Sequence, residues 1–134
     1  MFTFEAGREY SLRELHILLG LPEEATGGGW FNGFQRHGGV FCVFASVRAE
    51  RRPAERRDHW EDGVLFWSAK GKARLADESI RELVSGRWPV HIFWRRWRRG
   101  HEGGFTYAGL GVVREARDTT PATILWTCGT PPAG

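Results

Sequence analysis

A chain of 134 residues and 15.2 kDa has room for one compact domain, residues 1–134, and can bury enough surface to fold unaided. Its 41% hydrophobic and 26% charged residues exclude overall disorder, and with a mean hydropathy of −0.41 no apolar run approaches the roughly 20 residues of a membrane span. The excess of 19 basic over 16 acidic side chains is modest, but only Lys70 and Lys72 are lysines and the rest are arginines, the side chain suited to bidentate phosphate and base contacts.

The N-terminal residues lack the basic stretch and apolar region of a signal peptide, so a soluble, cytoplasmic protein is expected. Ser11 and Glu14 form a capping box, Tyr10 and Leu15 can form its staple, and the spacing predicts a helix over 12–19 stopped by Gly20 and Pro22. Gly27, Gly28 and Gly29 open a loop that runs through Trp30 and Asn32 to Phe34. Residues 40–45 are apolar on both faces and predict a central strand containing Cys42. The charged, proline-broken stretch 48–58 reads as an exposed loop, and 64–67 as a second strand.

Asp77 is placed to cap a second helix over 78–85, ended by Gly86 and Pro89. Strands follow at 90–94, 105–113 and 123–128, with a basic hairpin loop at 95–104 and a frayed tail at 130–134. Cys42 and Cys128 lie in strand-like runs outside any CxxC pair, so both are expected as buried, reduced thiols and no zinc site is expected. Several curved strands with two short helices predict an α+β fold built on a small, partly closed β-barrel.

Enzyme motifs are scarce. No phosphate-binding loop, HExxH or GxSxG is present, and neither a metal nor any other cofactor is expected. Asp58, His59, Glu61 and Asp62 ahead of Lys70 form a weak nuclease-like pattern, in which carboxylates and a lysine would hold a divalent cation and activate water. Ser68 stands where such a site wants a further carboxylate.

The interleaving of arginine with tryptophan is the stronger signal. Residues 93–99 read Phe-Trp-Arg-Arg-Trp-Arg-Arg, and Arg48, Arg51, Arg52, Arg56 and Arg57 form a second cluster. Arginine neutralises phosphate, and tryptophan stacks on a base or wedges into a duplex. The expected backbone contacts are Arg36, Arg56, Arg57, Lys70, Lys72, Arg95, Arg96, Trp97, Arg98 and Arg99. A pocket for a single base needs rings on both faces and a polar group for the base edge. Trp30, Phe34, Trp60, Trp67 and Tyr107 are candidate rings, Asp62 the candidate acceptor for an exocyclic amine, and Asn32 a candidate amide.

The order of these segments resembles a family. The pieces are residues 10–15 with Leu18, Leu19 and Gly20, then 29–34, 39–44, 58–67, 79–83, 90–95 and 105–109. The pattern, spread over residues 8 to 128, is similar to the SRA-like modified-cytosine readers of modification-dependent (type IV) restriction enzymes, members of the wider PUA-like group of small barrels. The resemblance implies a restriction or defence context and double-stranded DNA carrying a modified base, 5-methylcytosine or a relative, flipped into an aromatic pocket. Trp30 and Phe34 map onto the family's aromatic-glycine-aromatic motif, and Trp60, Asp62 and Trp67 onto the motif near the pocket. The family's nuclease or helicase-nuclease modules have no counterpart in this chain, so cutting would need a partner, and the domain itself is expected to bind rather than catalyse. The alternatives are a small metal-dependent nuclease using Asp58, Asp62 and Lys70, a PUA-like RNA-binding domain, and a protein-interaction domain whose aromatics form a dry patch.

Overall fold

The computed structural model describes residues 3–21, 31, 33–47, 58–69, 71–96 and 104–128. In chain order the elements are β1 (Glu9–Tyr10), α1 (Leu12–Leu18), β2 (Gly33–His37), β3 (Val40–Val47), β4 (His59–Glu61), β5 (Val64–Ser68), α2 (Glu78–Val84), β6 (Val90–Arg96), β7 (Phe105–Arg117) and β8 (Thr123–Cys128). The strands pair in the order β2-β3-β6-β7-β8-β5-β4, with β1 added against β7. Every strand pairing is antiparallel except β3 with β6. A parallel bridge from Val47 to Asp58 draws the end of β3 toward the start of β4, so the sheet curls back on itself without closing.

Local chemistry accounts for the elements. Ser11 Oγ accepts from the Glu14 amide at 3.0 Å while Glu14 Oε1 accepts from the Ser11 amide at 3.1 Å, the expected capping box at the start of α1. Asp77 stands at the N-cap of α2, but its carboxylate accepts from the Arg74 amide instead of from the helix. Two hairpins turn on residue pairs in the left-handed region, Gly38-Gly39 at φ 59° and 81° and Asp62-Gly63 at φ 51° and 77°, as two-residue loops require. The strand β2 was expected as the end of a glycine loop, and its pairing through Gly33↔Phe44 and His37↔Val40 makes it a sheet edge. Arg95 and Arg96, expected in a hairpin loop, instead complete β6.

Alternation along the central strands builds two cores. Phe41, Val43 and Ala45 of β3, Val90 and Ile92 of β6, Leu65 and Trp67 of β5 and Trp126 of β8 fill the inside of the curl, closed by Ile80 and Leu83 of α2. Cys42 and Phe44 of β3 and Phe93 of β6 face the other way, under Tyr10, Leu15 and Leu19 from the N-terminal segment and α1. Both faces of β3 are therefore buried, as its uninterrupted apolar run predicts. Cys42 and Cys128 are free thiols, and burial pushes Cys42 up to about 12. No helix is long and apolar enough to cross a membrane.

Candidate nucleic-acid interface

The aromatic candidates divide between the two cores. Phe34, Trp60 and Trp67 belong to the inner one, joined there by Trp94, while Tyr107 belongs to the outer one. Trp67 and Tyr107 thus lie on opposite sides of the sheet and do not share a pocket. Trp67 is fully buried, with Phe34 edge-on at 5.8 Å and its indole N–H donating to the Phe44 carbonyl at 3.3 Å. Trp60 and Trp94 are only half-buried and meet edge to face, centroids 5.9 Å apart at 76°. Their indole nitrogens are shielded from solvent and have no hydrogen-bond partner among the described residues. A buried N–H left without an acceptor is costly, of order 1–3 kcal/mol, so two such donors side by side favour an incoming acceptor.

Beside this pair lies an acid. Asp58 is 5% exposed, and its two oxygens accept from the amides of Ser46, at 3.3 Å, and Ser68, at 3.0 Å. It thereby ties the end of β3 to the end of β5 across the seam of the curl. The residue was read as the last of an exposed charged loop, and it is instead buried. The available signal was its spacing of two from Trp60, which puts both on one face of an extended chain. Asp62 sits in the exposed hairpin turn between β4 and β5, outside both cores.

The basic candidates also divide. Arg95 and Arg96 end β6 at the same end as Trp94. The Arg95 Nε donates to Ser46 Oγ at 3.2 Å and its guanidinium lies 4.7 Å from the Phe105 ring, which fixes its stem. Arg36 pairs with Phe41 at the far end of β3, about 16 Å from Ser46 along the strand, where it contacts Glu82 at 3.3 Å and lies over Trp88 at 4.2 Å. Lys72 is exposed in the turns before α2. Trp30, Asn32, Arg56, Arg57, Lys70, Trp97, Arg98 and Arg99 lie outside the described residues.

Tyr107 is held by the outer core. Its hydroxyl lies 2.8 Å from His91 Nδ1, and Phe4 packs on both rings at 5.2 Å. Burial, followed by the nearby Cys128, Cys42 and Tyr10, pushes the phenol up to about 12, and burial lowers His91. Of the nuclease candidates, both Asp58 oxygens accept from amides, Asp62 is at a turn and Lys70 lies outside the described residues, among which no cluster of three or more metal-ligating side chains occurs.

Comparison with known structures gives the fold its context. The chain superposes on the crystal structure of KRYPTONITE in complex with mCHH DNA, an H3(1–15) peptide and SAH, with a TM-score of 0.58 at 12% identity, covering 98% of this chain and 33% of that one. The fold is SRA-like. A second match is Arabidopsis thaliana SUVH6 in complex with SAM, with a TM-score of 0.53 at 17% identity, covering 97% of this chain and 27% of that one. The chain thus spans about a third or less of the length of these neighbours. No family model matches the sequence, and no curated protein does.

Proposed function

We propose that this chain is a DNA-binding module that reads a modified cytosine in duplex DNA, taken out of the stack at the seam of the curled sheet. The observation that carries the reading is the pair of tryptophans, Trp60 and Trp94, whose shielded N–H groups lack acceptors among the described residues, with the buried carboxylate of Asp58 two residues before Trp60. The likeness to a structure that holds mCHH DNA supports the choice of ligand. The base would stack on one of Trp60 and Trp94 with the other edge-on to it, and stacking worth about 1–3 kcal/mol per base offsets part of the few kcal/mol that flipping costs. Asp58 would accept from the cytosine N4 amine, and an indole N–H that meets the base edge-on would donate to its O2. Of the other rings, Trp30 and Phe34 would line the entrance, while Trp67 supports the floor.

Arg95 and Arg96, with Trp97, Arg98 and Arg99 beyond them, would hold the backbone and fill the vacated stack. Arg56, Arg57 and Lys70 would add phosphate contacts. In this reading the chain binds and does not cut, and a nuclease or helicase-nuclease supplied by a partner would give it a restriction role.

The test is a fluorescence-anisotropy titration at about 150 mM salt, where nonspecific binding is weak. The duplexes are identical except for cytosine, 5-methylcytosine, 5-hydroxymethylcytosine or N4-methylcytosine at one position. One modified duplex should bind about tenfold or more tightly than the plain one, about 1.4 kcal/mol. Equal binding to all four refutes the reading. Stronger binding to RNA of the same sequence would move the assignment to an RNA-binding domain, through contacts to the 2′-hydroxyl.

A further inference from the structure

The seam site lies at the C-terminal end of β6, and a separate feature lies at its N-terminal end, about 20 Å away along seven residues. There β6 and β7 part. Their pairing ends at His91↔Leu110, and β7 runs on to Arg117 paired only with β8. Because β7 stands between β6 and β8, its β6-side edge over 112–117 carries no strand among the described residues. Such an edge offers unpaired amide and carbonyl groups to another extended chain.

A cavity of about 650 Å³ opens beside that edge, between the end of α2, the segment 86–90 and residues 110–113 of β7. Leu83, Val90, Val113 and Trp126 wall it. Leu110 and Val112 stand at its mouth, 48% and 61% exposed, on a strand otherwise well covered at its start. Gly111 between them lies close over the core, since a Cβ there would come within 2.8 Å of Ile92 and 2.9 Å of Trp126. Exposed apolar side chains flanking an apolar cavity of this size mark a binding surface.

Charge selects the occupant. Exposed Arg87 lines the cavity and exposed Arg114 follows along the open edge, while Arg117 beyond them is paired with Glu115. The nearby acids are engaged, Glu115 by Arg117 and Glu82 by Arg36. We propose that this edge and cavity bind an extended acidic segment of a partner protein, added as a strand against 112–117 with an apolar side chain in the cavity. A DNA duplex would match the cations but would leave the apolar cavity unused.

The test selects random peptides displayed on phage against the full chain, with a parallel selection against Val112→Lys. Enriched peptides should alternate apolar residues with Asp or Glu. A synthetic copy of the best should lose about tenfold or more in affinity with Val112→Lys and about threefold with Arg87→Glu. Both positions are exposed, so both variants should melt with the parent, and a peptide chosen on the parent must protect amides in 112–117 from hydrogen exchange. Any of four results overturns the proposal: no enrichment over the Val112→Lys selection, basic peptides, binding without amide protection, or displacement of the peptide by plain duplex DNA. Self-association of the parent that Val112→Lys abolishes would also overturn it, assigning the edge to a second copy.

Discussion

The two cores on either side of the central strands differ in how they treat polar groups. In the outer core most polar side chains have partners: His91 meets Tyr107, the Tyr10 hydroxyl accepts from the Glu5 amide at 2.8 Å, and His37 meets the Leu19 carbonyl at 2.7 Å, while His16 Nδ1 on α1 has none among the described residues. Phe44 and Phe93 stack at 5.3 Å with Phe4 and Phe105 edge-on, while the Gly7 amide donates to the Tyr107 carbonyl and the Tyr107 amide to the Arg8 carbonyl. In the inner core the indoles of Trp60, Trp94 and Trp126 keep N–H groups that no described residue accepts. A layer whose polar groups are mostly paired among themselves is a scaffold. A layer that holds donors in reserve is where a ligand gains most.

The comparison breaks first if the outer core proves to govern binding. Phe93→Ala should cost about 3–5 kcal/mol in urea denaturation, because it empties the centre of the aromatic layer. The surviving folded fraction should keep its preference for a modified base, and a lost preference would show the scaffold to be part of the site. Asp58→Asn keeps one acceptor oxygen and should weaken binding of the modified duplex by about tenfold, read by anisotropy. Asp58→Ala should in addition destabilise by about 1–3 kcal/mol per stranded amide, so the two variants separate binding from folding.

Ser11→Ala sharpens the scaffold side, since losing the capping box should cost about 1 kcal/mol with no change in DNA affinity. The smallest effect is one of pH. Burial lowers His91, so the folded protein binds fewer protons there than the unfolded chain. The stability this contributes is complete above the ordinary histidine value near 6.5 and is lost as pH falls below it. Thermal melting between pH 7.5 and 5.5 should show that decline in the parent and a flatter profile in His91→Phe.

Much of the fold was legible because local signals sufficed. Ser11 with Glu14, the apolar run of β3 and the glycine and proline after α2 each mark an element without tertiary help. The short strands β1, β2 and β4 were not, because two to five residues carry too little periodicity and exist through their partners. The placement of the candidate residues was half legible. Trp60 and Arg95 could be named by residue type, but the burial of Asp58 was hidden by the arginines before it, and nothing local showed that Asp62 sits at an exposed turn. Nor could sequence separate Trp67 from Tyr107. β5 and β7 each bury residues on successive positions, so no alternation tells which face a ring takes.

The parallel pairing of β3 with β6 carries a consequence for how the molecule is made. Phe41 and Val90 are partners, yet about fifty residues of chain stand between them. A nascent chain that has not yet reached Val90 therefore presents β3, apolar on both sides, as a bare edge with only β2 beside it. Folding must wait for this late closure, which places the rate in the slow range of millisecond to second topologies and makes the interval the one in which aggregation competes. Anything that shortens the interval, such as a faster-forming α2, should raise the yield of folded protein while leaving its final stability nearly unchanged.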